Sequence, residues 1–254
     1  MGVKHSVSYQ NGENMAKKTD EELYDVAITM IGSVAKLPVI RVDREAFLRQ
    51  QFADSEYLDE ILQHGPQHVY TVESLRRKAD GVIKKSTNQT TLAAFVAGIP
   101  GGPAAVAAGG ADVAQYFGFA INLAQKIAYL FGEDDLFTDE SELNEGAKVR
   151  VLAYLGVMLG ASGSAMLVGK LAREVGKNMG KKITQQALTK TTWYPLLKKI
   201  GAMVGKRVVK ESVGKAVAKV VPVVGGAISG AMTYATFKPM GGRLADVLVR
   251  NLNG

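Results

Sequence analysis

The chain has no cysteine, and only three histidines and one tryptophan, in 254 residues. Without cysteine there is no disulfide, thiolate zinc site, iron–sulfur cluster or cysteine nucleophile. That absence fits a cytoplasmic location. With His5, His64 and His68 alone, a histidine-based triad has few options, and no Gly-x-Ser-x-Gly elbow occurs. An enzyme is therefore disfavoured. Strand signals are equally scarce: the β-branched run at 220–224 is short and has no alternating neighbour. Residues 1–18 lack an apolar signal-peptide core and are expected to form a disordered polar tail. Gly2 with Ser6 matches only the loose pattern for myristoylation.

Charge is missing from three stretches: residues 86–111, 151–169 and 220–237. A helix that spans a bilayer needs about 20 predominantly apolar residues. The second and third stretches reach that length only marginally, and Gly, Ala and Ser dilute them. The first is interrupted by Gly98-Ile99-Pro100-Gly101-Gly102-Pro103, which predicts a helix–turn–helix hairpin. Glycines recur four residues apart at 156/160, 176/180, 201/205 and 226/230, a spacing that lets helix backbones approach closely. Buried helices of a bundle are the first expectation, and partial or conditional entry into a bilayer the second.

What the chain does contain is helical periodicity. It predicts an all-α, multi-helix bundle with Gly/Ala-rich central helices and a broken hairpin around 86–131. Helices are expected over 19–37 behind a Thr19 cap, over 43–63 in one broken or two short pieces, and over 66–85 from Pro66. Further helices are expected over 103–131 closed by Gly132, over 140–168, across the basic stretch 170–219 with a break at 193–195, over 220–237, and over 241–252 beyond Lys238-Pro239. The organisation expected is a tail (1–18), an N-terminal helical region (19–85) and a C-terminal helical domain (86–254).

The net charge is +7, but it is unevenly spread. Residues 1–146 carry 13 Lys/Arg and 21 Asp/Glu; residues 147–254 carry 18 and three. Either the two halves complement each other within one fold, or the basic half faces something anionic. Lys170, Arg173, Lys177, Lys181, Lys182, Lys198, Lys199, Lys206, Arg207 and Lys210 are the candidate contacts. Lysine far outnumbers arginine there, and Trp193 and Tyr194 are the only aromatics between 170 and 219, so anionic lipid is favoured over nucleic acid.

Two smaller features are candidate sites. Asp112, Gln115, Asn122, Gln125 and Lys126 recur at three- and four-residue steps, either as a polar groove or as the solvated side of a helix. His64 and His68 have zinc-like spacing, but Gly65-Pro66 lies between them and no third ligand is evident, so neither metal nor cofactor is expected.

The segments Ala97-Gly98-Ile99-Pro100-Gly101-Gly102, Ala111-Asp112-Val113 and Ala124-Gln125-Lys126-Ile127-Ala128-Tyr129-Leu130-Phe131-Gly132 resemble the EcsC family, as does Val221-Pro222-Val223-Val224-Gly225-Gly226-Ala227-Ile228. The resemblance covers about residues 85–250. It makes Gly98, Gly101, Gly102, Asp112, Tyr129, Gly132, Pro222 and Gly225 the motif positions; Phe131 stands where the family usually has Tyr. It implies a bacterial, mainly helical protein of a family named for a member encoded beside an ATP-binding-cassette transporter. The family's biochemical activity is not established, so it supplies no catalytic residues.

Together these observations predict a helical protein peripheral to, or partly inserted in, the inner membrane on its cytoplasmic side. It would act as a transport accessory or lipid-binding factor, with anionic lipid and a transporter or other protein as partners. A pore-forming or toxin-like protein is one alternative. A soluble ligand-binding bundle or enzyme with a pocket near Asp112 is another.

Overall fold

The computed structural model describes residues 18–37, 40–88, 111–136, 143, 145–177, 192, 194–218 and 225–254. Within the helices, the side chains of 88, 111–115, 173–177, 210–218 and 225–236 are outside that description. The protein is all-α. Among the described residues the helices are α1 (Asp20–Ala35), α2 (Arg44–Gln51), α3 (Leu58–His64), α4 (Val72–Asn88), α5 (Ala111–Leu130), α6 (Glu145–Leu159), α7 (Ser164–Lys177), α8 (Tyr194–Ala218) and α9 (Gly225–Leu252).

Local chemistry sets most of the boundaries. Thr19 and Glu22 form the capping box that opens α1: Glu22 N donates to Thr19 Oγ1 at 3.2 Å, and Thr19 N donates to Glu22 Oε2 at 2.7 Å. Asp43 caps α2 by accepting from Ala46 N at 2.8 Å. At the end of α5, Gly132 takes φ +85°, and Glu133 N reaches back to the Ala128 carbonyl at 3.1 Å. Only a glycine adopts that left-handed cap without strain.

Three expectations are corrected. The helix predicted over 66–85 is a 3-10 turn at Pro66–His68 followed by a separate α4. Thr71 Oγ1 accepts from Ser74 N at 3.3 Å and starts the helix afresh. The helix predicted over 140–168 is two helices, α6 and α7. Gly160 takes φ +78° and Gly163 takes φ +82°, and Ala161 N closes on the Gly156 carbonyl at 2.7 Å. In contrast, the break predicted at Lys238-Pro239 is absent: α9 runs straight through Pro239. Lys238 and Pro239 are exposed, whereas Phe237, Met240, Leu244 and Ala245 are buried. The missing proline N–H therefore falls on the solvent side, where helix hydrogen bonds are longest and weakest.

Two helices form the centre. Almost every residue of α6 from Gly146 to Met158 is buried, and α5 is buried on most sides from Phe117 onward. A helix that is apolar all round has to be surrounded. Accordingly α6 packs against α1, α5, α7, α8 and α9, and α5 packs against α1, α2, α4, α6, α8 and α9. One hydrophobic cluster runs from Tyr24 to Leu248 through both of the expected regions, and the boundary expected at 85/86 falls inside α4. Of the hairpin expected around 86–131, residues 89–110 lie outside the described residues, and so does the run at 220–224. Among the described residues, no helix is long and apolar enough to cross a membrane. Residues 151–158 of the second uncharged stretch are buried in the bundle, and the stretch is cut by the turn at Gly160.

The glycine spacing at 201/205 serves the α1–α8 contact. A Cβ on Gly201 would meet the Tyr24 ring, and one on Gly205 would run into the Leu23 carbonyl. Backbone cannot yield as a side chain can. Gly205→Ala is expected to destabilise by about 1–3 kcal/mol in urea melts. Gly242 lies inside α9, and a methyl group placed on it would meet no atom within 4 Å. Gly242→Ala is expected to gain up to ~1 kcal/mol, through helix propensity alone. Equal effects from the two substitutions would contradict the packing described.

Candidate functional site

The polar positions along α5 serve two different purposes. Gln125 is fully buried. Its Oε1 accepts from Val42 N at 3.0 Å, and its Nε2 donates to the carbonyls of Ile40 at 2.9 Å and Ile121 at 3.1 Å. Asn122 Nδ2 also donates to the Ile40 carbonyl, at 3.2 Å. These two amides supply backbone partners for Ile40 and Val42, which are buried in the connection from α1 to α2. Asp112 and Gln115 lie on the same helix, with side chains outside the described residues. Removing the Gln125 amide strands a buried N–H at Val42, so Gln125→Leu is expected to cost about 2–4 kcal/mol despite its similar size. Chemical denaturation checks this; a loss under ~0.5 kcal/mol would mean that the clamp is not needed.

Lys126, the next residue, faces a cleft instead. The cleft is about 400 Å³ and is lined by Phe47, Gln50 and Gln51 of α2, by Lys78, Gly81, Val82, Lys85 and Ser86 of α4, and by Lys126. The α4 residues follow at steps of three and four, so they share one helix face. Lys78 Nζ donates to the Gln51 carbonyl at 2.6 Å and lies 4.5 Å from the centre of the Phe52 ring. Both contacts hold that ammonium at the rim. Lys126 is half-buried, and its pKa is lowered by burial and then by the charge of Lys85. Among the described residues, no carboxylate lines the cleft. Gly81 lines the cleft from within α4, and among the described residues no atom lies within 4 Å of a methyl group placed there.

The lowered pKa of Lys126 has a consequence for stability. Below its folded pKa the folded state carries a charge that burial disfavours. Between that value and the ordinary lysine value of 10.5, the unfolded chain holds the proton and the folded one has released it, so this group's contribution to stability rises with pH. Lys126→Met is expected to raise stability at neutral pH and to flatten that rise on the alkaline side. Melting curves from neutral to alkaline pH read both effects; an unchanged pH dependence would count against burial of this amine.

The motif positions Tyr129 and Gly132 belong to a third group of residues, at the C-terminal end of α5. Arg150 Nη2 pairs with Glu133 Oε2 at 2.5 Å, and both side chains are largely buried. Arg44 Nε donates to the Glu133 carbonyl at 3.1 Å, and Arg44 Nη1 to that of Leu62 at 3.3 Å. Tyr129 Oη donates to Asp135 Oδ1 at 2.9 Å. Burial, and next the Glu133 charge, push the Tyr154 phenol upward; burial and Asp135 do the same to Tyr129. Burial opposes the charge on Arg150, but Tyr154 and Glu133 outweigh it and raise its pKa. These contacts tie the end of α5 to α2, α3 and α6.

Among the described side chains, the candidate basic residues are spread over α7 and α8. Lys198 pairs with Glu21 of α1 at 2.9 Å and lies 5.5 Å from the centre of the Tyr194 ring. Lys199 and Lys206 are seven residues apart on the outer side of α8. Arg207 is half-buried, 6.0 Å from the centre of the Tyr116 ring. Lys170 is half-buried on α7, one turn after Met166. Arg173 and Lys177 lie on α7 and Lys210 on α8, with side chains outside the described residues; Lys181, Lys182, Gly98, Gly101, Gly102 and Pro222 lie outside them altogether, and Gly225 opens α9. The His64 and His68 rings are 6.1 Å apart, and among the described residues no group of three acidic or histidine side chains could hold a metal ion.

Lys78, Lys85, Gln50 and Gln51 do not stand out in the sequence. Their one signal is a glycine midway between two lysines on a single face of an amphipathic helix. No family model matches the chain, and no curated protein or solved structure shows significant similarity to it.

Proposed function

We propose that this protein is a peripheral helical factor that binds an anionic membrane surface and serves lipid binding or transport there. The observation that carries the reading is the outer side of α7. Leu167, Val168 and Leu171 are buried against the bundle, while Met166 is 56% exposed and Lys170 follows it by one helical turn. An exposed apolar side chain beside a cation is the arrangement with which a surface helix meets headgroups and the first acyl carbons. Lys199 and Lys206 add charge on α8, which packs beside α7. The excess of basic over acidic residues in 147–254 favours the same partner.

The resemblance to the EcsC family supports a bacterial setting, on the cytoplasmic face of the inner membrane, with a transporter or another protein as partner. A pore-forming role is less well supported, because the apolar helix α6 is enclosed by five others.

Flotation with vesicles tests the proposal. The protein is expected to float with anionic vesicles at low salt, to be released at high salt, and to ignore zwitterionic vesicles. Each of Lys170→Gln, Lys199→Gln and Lys206→Gln is expected to weaken binding about fivefold, from the ~1 kcal/mol that a charge near such a surface contributes. Met166→Ser should weaken it further without altering the melting temperature. Absence of flotation with anionic vesicles at low salt would end the proposal.

A further inference from the structure

The lysine cleft lies between α2, α4 and α5 and does not depend on the membrane-surface reading. We propose that it is a binding site for a phosphate-bearing small ligand, held by Lys78, Lys85 and Lys126. Its volume of about 400 Å³ is within the range of small-molecule pockets. Three lysines from two helices line it, and among the described residues no carboxylate does. Lys126 has no acidic partner among the described residues, and its strongest charged neighbour is another lysine.

A half-buried ammonium facing a second cation is unfavourable until an anion joins them. A group of high charge density relieves it best, and a phosphoryl group offers up to two negative charges and several acceptor oxygens to lysines acting as point charges. Gln50, Gln51 and Ser86 add neutral hydrogen-bonding groups, while Phe47 and Val82 give the remainder of the ligand an apolar wall. Gly81 is the second observation. A glycine inside an α-helix costs up to ~1 kcal/mol relative to alanine. Among the described residues no atom lies within 4 Å of a methyl group placed there, and Gly81 lines the cleft, so a larger side chain at 81 has the cleft's space to occupy.

The test uses the full chain and inorganic phosphate, with chloride at matched ionic strength as the reference. Phosphate is expected to raise the melting temperature saturably and beyond chloride. Gly81→Leu retains all three lysines but fills the cleft, and Lys126→Met removes one charge from it. Each is expected to weaken phosphate binding about tenfold or more, as loss of a charge-assisted contact does, with the helical circular dichroism unchanged. No phosphate-specific stabilisation of the wild-type protein would overturn the proposal. So would equal stabilisation of wild type and Gly81→Leu, which would reduce the effect to surface charge.

Vesicles containing phosphatidic acid separate the two sources of the phosphoryl group. If they displace phosphate from the wild-type protein, and Gly81→Leu abolishes that displacement, the ligand is a lipid headgroup. If phosphate binds but the vesicles do not displace it, the ligand is a free phosphorylated compound.

Discussion

The rest of the structure depends on the enclosure of α6. Its residues from Gly146 to Met158 are almost all buried, so it presents no polar face to water. A 15-residue helix of this kind is stable only if other helices cover every side of it. α1, α5, α7, α8 and α9 supply that cover, and they come from both halves of the chain. The N-terminal helices are therefore part of the core. The glycines at 156, 201 and 205 follow from the same constraint: the covering helices approach so closely that side chains at these positions would collide with Ile200, Tyr24 and the Leu23 carbonyl.

Enclosure also explains part of the charge asymmetry. Glu21 with Lys198 and Glu133 with Arg150 pair the acidic half with the basic half. The second pair is largely buried, so removing either member would leave the other's charge without its partner inside the protein. Arg76 with Asp246 runs in the opposite direction, from α4 to α9. The two halves thus complement each other in part. Among the described residues, Lys199, Lys206 and the three cleft lysines have no such partner across the halves, and these residues carry the functional proposals.

Legibility in the sequence followed the range of the interaction. The starts of α1 and α2 and the close of α5 were readable, because Thr19 with Glu22, Asp43 with Ala46, and Gly132 each act within a few residues. The turn at Gly160–Gly163 was hidden inside an uninterrupted apolar run, where glycine reads equally well as a packing residue. Pro239 suggested a break, but exposure of its side of α9 let the helix continue. The α5 stripe was visible as a pattern, but its division was not. Gln125 and Lys126 are adjacent, and only the arrival of Ile40 and Val42 on one side and of α4 on the other gives one a clamp and the other a cleft.

By itself the sequence determined the all-α class, the chemistry excluded by the missing cysteine, and the uneven distribution of charge. Each depends only on composition or on contacts within one helical turn. The tertiary structure decided which uncharged helix lies at the centre, which charges are neutralised by partners, and which three lysines line one cleft. These outcomes depend on residues as far apart as Gln51, Lys78 and Lys126, brought together only when the chain buries its apolar faces.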